Sequence, residues 1–272
     1  MGMGDELMAT GLVKLMHQKS GKLVRIVDAR GQIRRHEIFA NNPKIVQPGQ
    51  PARDFETLRN HSGSGRPYFE SQDDHKFTFK KFKPEPGEIF FTEEEKKFAA
   101  SYDPIVIVEP NIKHAVSVDN KDWGYQRWEE LATLMSDAGI PFTQLGAKNP
   151  KLKILPGANY IVTSTFRHAA AIIAKAKALV IPEGGLHHAA AAVGVRAVVI
   201  YGGFISPDQT GYDSHINLFT GEYACGSKFS CPHCKEAMSK ITPQEVFAHL
   251  KSLLPTTLTS QTVYTTPQTS LR

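Results

Sequence analysis

The chain has 272 residues, of which 41% are hydrophobic and 22% charged, with a formal net charge of +5. That length suffices for two modest α/β domains or one large one. It holds no apolar run long enough to cross a bilayer, and its opening MGMGDELMATG lacks the basic start and apolar core of a secretory signal, so a soluble cytoplasmic protein is expected. Residues 1–100 carry 17 Lys/Arg against 14 Asp/Glu and the remainder 15 against 13, so the charge balance gives no support to a dedicated nucleic-acid binder. Three cysteines argue against a disulfide framework and for a reducing compartment.

From the start, Gly2, Gly4 and Asp5 stand before Leu7, Met8, Leu12, Leu15 and Met16, which recur at helical spacing. A carboxylate near a helix N-terminus is held ionised, so Asp5 suits a general base toward an acceptor hydroxyl. A plain helix-capping Asp is the simpler reading of the same residue. Gly21 ends the helix, and Leu23–Val27 reads as a strand ending at Asp28. No strand is written before this helix and strand, so the customary first strand of a doubly wound fold is absent or displaced.

Residues 48–86 lack periodicity and are rich in Gly, Pro, Asp and His, which reads as irregular structure able to hold acceptor-contacting loops. Within them, Lys76 to Lys83 alternates bases and aromatics. That pattern suits base stacking and phosphate neutralisation, or a strand with phenylalanines inward and lysines outward. Thr92-Glu93-Glu94-Glu95 caps a short helix running to Ala100.

A second unit starts near Pro104. Ile105–Val108 is the continuous apolar run of a strand buried on both faces, ending at Glu109-Pro110-Asn111. Lys121-Asp122-Trp123-Gly124 precedes a helix with Trp128, Leu131, Leu134 and Met135 on one side. Strands at 141–146, 160–162, 178–181 and 197–201 alternate with helices, so the expected class is α/β with a doubly wound parallel sheet and ligands at the C-terminal strand ends. Asn111, Lys121, Gly146, the 182–188 turn and Gly202-Gly203 are then predicted along one edge.

The turn is the most informative stretch, IPEGGLHHAAAAVG from Ile181 to Gly194. Strand, Gly184-Gly185 and helix start follow in order. Unpartnered N–H groups of a helix start bind phosphate or sugar oxygens, and glycines let a ligand approach the backbone. Glu183 adds an acceptor for hydroxyls, and His187 and His188 add donors. Further on, Cys225, Cys231 and Cys234 lie in CGSKFSCPHC with His233 between the last pair. They read as reduced thiols in a loop, or as the ligands of a structural zinc site with His233. Thr242, Pro243 and Glu245 start the last helix, and residues 255–272, rich in Thr, Ser and Gln, read as a mobile tail.

Three motifs taken together resemble glycosyltransferase family nine, which includes the ADP-heptose:lipopolysaccharide heptosyltransferases. Gly4-Asp5 followed by Leu7-Met8-Ala9-Thr10 resembles that family's N-terminal GD motif, Lys121-Asp122-Trp123 its K-x-W stretch, and Glu183 to His188 with Ala189 to Gly194 its D-[ST]-G-x-x-H-x-A-A-A-x-G. The resemblance implies two Rossmann-like domains facing a cleft (GT-B), the N-terminal one reduced: 1–102 on the acceptor side, 103–254 binding the nucleotide sugar, and the tail. It implies Asp5 as catalytic base. Gly4, Asn111, Lys121, Gly146, Glu183, Gly184, Gly185, Leu186, His187 and His188 are the donor-binding candidates, with no metal at the catalytic centre and no cofactor beyond the donor. Glu183 and Gly184 stand where the family has Asp and Ser/Thr, which leaves the donor sugar open. The acceptor implied is a glycan, the alternative a hydroxymethylated DNA base. A non-catalytic sugar-nucleotide-binding protein and an unrelated nucleotide-binding α/β protein are the other readings.

Overall fold

The computed structural model describes residues 2–51, 54–112, 118–147 and 152–259. Helix α1 (Met3–Ser20) opens the chain and ends at Gly21, whose φ of +71° is the left-handed conformation that glycine adopts without strain. Strand β1 (Leu23–Val27) pairs in parallel with β2 (Phe55–Arg59), and β3 (Phe69–Gln72) and β4 (Phe77–Phe79) form an antiparallel hairpin. Helix α2 (Glu93–Ala100) has the expected reciprocal cap. Its Thr92 hydroxyl accepts the Glu95 N–H at 3.2 Å, and the Glu95 carboxylate accepts the Thr92 N–H at 2.8 Å.

The remainder alternates strand and helix: β5 (Val106–Val108), α3 (Tyr125–Asp137), β6 (Phe142–Gly146), β7 (Asn159–Val162), α4 (Phe166–Ile173), β8 (Ala178–Pro182), α5 (Gly185–Ala192), β9 (Ala197–Gly202), the single turn α6 (Pro207–Thr210), β10 (Ile216–Phe219), α7 (Pro232–Lys240) and α8 (Pro243–Leu253). Strands β5 to β10 form one six-stranded sheet, paired in parallel throughout, in the order β10-β9-β8-β5-β6-β7. The chain therefore moves outward from β5 to β7, returns, and builds β8 to β10 on the other side. The connection reverses between β5 and β8, and in such sheets the crevice beyond those strand ends is where ligands bind.

Alternation along the central strands divides the core. Ile107, Leu179, Ile181, Val199 and Tyr201 join the cluster that contains α4 and α5 residues. Val106, Val108, Val180, Val198 and Ile200 join the cluster built with Trp128, Leu131, Met135, Val246 and Leu250 of α3 and α8. Leu7, Met8 and Val13 of α1 belong to the first cluster, together with Val24 and Ile26 of β1, so the N-terminal segment shares its core with the large sheet. Arg167 of α4 strengthens that union. Its guanidinium donates to both carboxylate oxygens of Glu95, at 2.6 and 2.7 Å, and to the carbonyls of Phe90 and Glu37.

Several elements depart from the sequence reading. Helix α1 starts at Met3, so Asp5 lies inside its first turn and accepts the Gly2 N–H at 3.1 Å. Strand β2 lies inside the stretch read as irregular, and β10 and α7 lie where no element was expected. Phe77 and Phe79 of β4 pack edge-on against Phe204, while Lys76, Lys80 and Lys81 are exposed, so the inward-phenylalanine reading holds. Of the expected tail, Thr256–Thr259 forms a helical turn, and residues 260–272 lie outside the described residues. No helix among the described residues is long and apolar enough to cross a membrane.

Candidate active site

At the β5/β8 reversal lies a cavity of about 360 Å³. Glu109 and Asn111 enter it from the end of β5, Lys121 from the loop before α3, and Glu183 to Leu186 from the β8–α5 turn; Gly2, Met3 and Phe166 complete the wall. The turn has the form expected of it. Gly184 is the N-cap of α5 and has no side chain to satisfy the helix start, and Gly184, Gly185 and Leu186 all line the cavity.

Lys121 forms an ion pair with Glu183, whose second oxygen accepts the Thr210 hydroxyl at 3.2 Å. Burial pushes the Glu183 carboxyl upward, but the Lys121 ammonium and the hydrogen bonds from Lys121 and Thr210 outweigh it and leave the group below its ordinary value. The Lys121 ammonium also lies 5.1 Å from the centre of the Phe204 ring. A cation and a helix N-terminus thus meet in one pocket, an arrangement suited to a diphosphate.

His187 and His188 stand behind the turn and do not line the cavity. His187 Nδ1 accepts the Gly184 N–H at 3.0 Å, which leaves Nε2 to donate to the Thr210 carbonyl at 3.0 Å. That fixes both tautomer and turn. His188 Nδ1 bonds the Tyr212 hydroxyl at 2.8 Å, and burial followed by repulsion from His187 and Lys121 holds its pKa well below the ordinary histidine value. His215 donates to the His187 carbonyl at 3.0 Å, and burial lowers it to about 4. All three rings are thereby neutral near pH 7. Glu183, His187 and His188 also come close enough to hold an ion together, but both Glu183 oxygens, both His187 nitrogens and His188 Nδ1 already serve Lys121, Thr210, Gly184 and Tyr212.

Asp5 is buried beside this cavity without lining it. Its Oδ1 accepts the Tyr68 hydroxyl at 2.7 Å and its Oδ2 the Gly2 N–H. Tyr68 is pushed well above the ordinary tyrosine range, first by burial and then by Asp5, so it stays protonated as donor. Gly4 packs against His188: a methyl group there would overlap the imidazole ring, so α1 approaches α5 as closely as backbone allows. Gly146 also lies off the cavity. It ends β6 under Tyr160, whose hydroxyl occupies the place of a side chain. Gly202 and Gly203 make room for Met238 and His233 of α7.

Glu109 is the residue that sequence reasoning passed over. It is 7% exposed; Oε1 accepts both the backbone N–H and the side-chain amide of Asn111 at 2.8 Å, while Oε2 is buried with no partner. Burial lifts its pKa to about 8, so near neutrality it is largely an uncharged acid. Its position at the end of an apolar run was the available signal. Tyr68 and Thr210 carried none, because each lies in a stretch without a motif.

The sequence profile of glycosyltransferase family 9 (heptosyltransferase) matches residues 71–241, more than half of the chain. The chain belongs to glycosyltransferase family 9. The matched stretch takes in Lys121 and the 183–188 turn, whereas Asp5 precedes it. Lipopolysaccharide heptosyltransferase 2 of Escherichia coli K12 is 31% identical over an alignment of 150 residues that covers 49% of this chain and 43% of that protein. The chain is thus aligned to less than half the length of that family 9 relative. Among solved structures, a family 9 glycosyl transferase from Veillonella parvula superposes with a TM-score of 0.62 at 16% identity, covering 93% of this chain and 94% of the other. The E. coli heptosyltransferase WaaC with ADP gives 0.55 at 11% identity over 96% and 97%. The iron-containing dodecameric TibC from enterotoxigenic E. coli gives 0.59 at 14%, over 93% and 74%. At those identities the likeness is one of fold, and the family 9 fold here is the expected GT-B type of α/β architecture with a reduced N-terminal sheet.

Proposed function

We propose that the protein is a nucleotide-sugar glycosyltransferase that moves a sugar, a heptose being the first candidate, from a nucleoside diphosphate to a hydroxyl of a glycan acceptor in the cytoplasm. The observation that carries this reading is the meeting of Lys121, Glu183 and the α5 N-terminus in one cavity at the strand reversal. The diphosphate would lie on the helix start and draw Lys121 from Glu183, freeing that carboxylate to orient sugar hydroxyls. Negative charge growing on the leaving group would be stabilised by groups already in place. The chain's own residues would perform the transfer, with no metal at the reacting centre. Residues 1–102 would serve the acceptor and 103–254 the donor.

Asp5 is the proposed base. An acceptor hydroxyl entering beside Gly2 would take over one carboxylate oxygen, while the Tyr68 hydroxyl keeps the other oriented. The burial of Asp5 supports a second reading, a protein that binds sugar nucleotides without transferring the sugar. A hydroxymethylated DNA base as acceptor loses its support, because Phe77 and Phe79 are packed on Phe204 and offer no stacking platform.

Two variants test the reading. Lys121→Met should weaken nucleoside diphosphate binding by roughly tenfold or more, the worth of one charge-assisted hydrogen bond, measured by calorimetry. Asp5→Asn should leave that binding nearly intact and lower sugar release by orders of magnitude. Wild-type protein that binds the donor but neither transfers nor hydrolyses it would select the binding-protein reading. Failure of Lys121→Met to affect affinity would remove the cavity from the scheme.

A further inference from the structure

We infer that Cys225, Cys231, His233 and Cys234 form a four-ligand site for one thiolate-seeking divalent ion, with zinc as the probe, and that this site anchors the loop carrying Lys121. The loop after β10 brings Cys225 back to the first turn of α7, where Cys231 is the N-cap, Pro232 the first helical residue, and His233 and Cys234 follow. The four candidate ligand atoms all lie within 4.8 Å of one another, and the Cys225 and Cys234 sulfurs are 3.1 Å apart. Zinc–sulfur bonds of about 2.3 Å in a tetrahedron place sulfurs roughly 3.8 Å apart, so small side-chain adjustments accommodate the ion.

The independent observation is His233. Both of its ring nitrogens are shielded from solvent and neither has an oxygen or nitrogen partner; the polar group that faces the ring is the Cys225 thiol. The ring is nevertheless held in place, stacked on Tyr223 at 4.5 Å between centroids and 17° between planes, and resting over Gly203. Imidazole nitrogens withdrawn from solvent with nothing but a thiol beside them are costly unless something binds them. A Cys225–Cys234 disulfide would leave both His233 and Cys231 unused, whereas an ion employs all four. Binding converts three thiols to thiolates, releases their three protons to solvent, and leaves a centre of net charge −1 with neutral imidazole.

The consequence for the donor site runs through Asn120, which is 2% exposed. Its amide nitrogen donates to the Ser227 and Phe229 carbonyls at 3.0 and 2.7 Å, and its oxygen accepts the Cys231 N–H at 2.9 Å. Lys121 is the next residue. The same loop joins β4, where the Phe77 N–H donates to the Gly226 carbonyl at 2.8 Å, and the end of β9, where the Cys225 N–H donates to the Gly203 carbonyl at 3.0 Å. An ion closing this loop would fix the lysine without touching the sugar nucleotide.

The test uses the full chain, purified under reducing conditions without sugar nucleotide, so its result is independent of whether transfer occurs. Elemental analysis should find close to one zinc or iron per chain. After chelation, added Co²⁺ should produce the visible bands of tetrahedral cobalt and a thiolate charge-transfer band, both lost in Cys231→Ser and in His233→Asn. Circular dichroism establishes that these variants fold, and Cys231 is only half-buried, which makes it the milder change. Chelation should also speed hydrogen exchange at Asn120 and Lys121. Folded wild-type protein that takes up neither Zn²⁺ nor Co²⁺, uptake unchanged in both variants, or exchange at 120–121 indifferent to the ion would each overturn the inference.

Discussion

Glu109 shows how one side chain sets the character of a pocket. Its folded pKa of about 8 lies above the value of an unfolded glutamate, so the native state holds a proton that the unfolded chain releases between about pH 4.5 and pH 8. Its cost to stability is therefore absent in acid, grows through that window, and is complete above it, on the order of a few kcal/mol. Glu109→Gln keeps an oxygen for Asn111 and places an amide where the acid proton stands. Urea denaturation should show a gain for this variant at pH 8 much larger than at pH 5; equal gains would mean the carboxyl is ionised throughout. The same scale shows where reading a sequence stops. Lys121 and Glu183 were identifiable from motif and residue type, but their mutual pairing was not, because sixty residues and three strands intervene. The sharing of Asp5 between Tyr68 and Gly2 is likewise a product of the fold.

At the scale of elements, legibility followed burial. Strands β5, β8 and β9 are apolar runs with both faces covered and were visible as such. Strand β2, FETLR, is at most half-buried, and β10, INLF, has one buried residue, so neither carried the periodicity or apolar run that betrays a strand. The start of α7 was concealed because its first turn is occupied by the Cys-Pro-His-Cys sequence. Docking of α1 onto α5 depends on the bare backbone of Gly4. Gly4→Ala would force the His188 ring and its Tyr212 hydrogen bond to move, with an expected loss of roughly 1–3 kcal/mol in thermal or chemical denaturation. A variant as stable as the parent would show that the two helices do not meet as described.

For the whole molecule, the sheet order places the site, while α1 closes it. The alternation of strands and helices predicted a doubly wound sheet, and the order β10-β9-β8-β5-β6-β7 puts its reversal at the strands ending in Val108 and Pro182. What the alternation did not reveal is that α1 and β1 share one hydrophobic cluster with the large sheet. A shared core unfolds together. Calorimetry should record one cooperative transition for the chain, and two separable transitions would argue for halves that fold independently.

The entry of Gly2 and Met3 into the wall of the cavity has a practical corollary. Any peptide fused ahead of them, such as a purification handle, begins at the rim where a nucleotide would dock, and would compete with it or screen it. Affinities taken from amino-terminally extended material would then come out too weak, and cleaving the extension away should restore them.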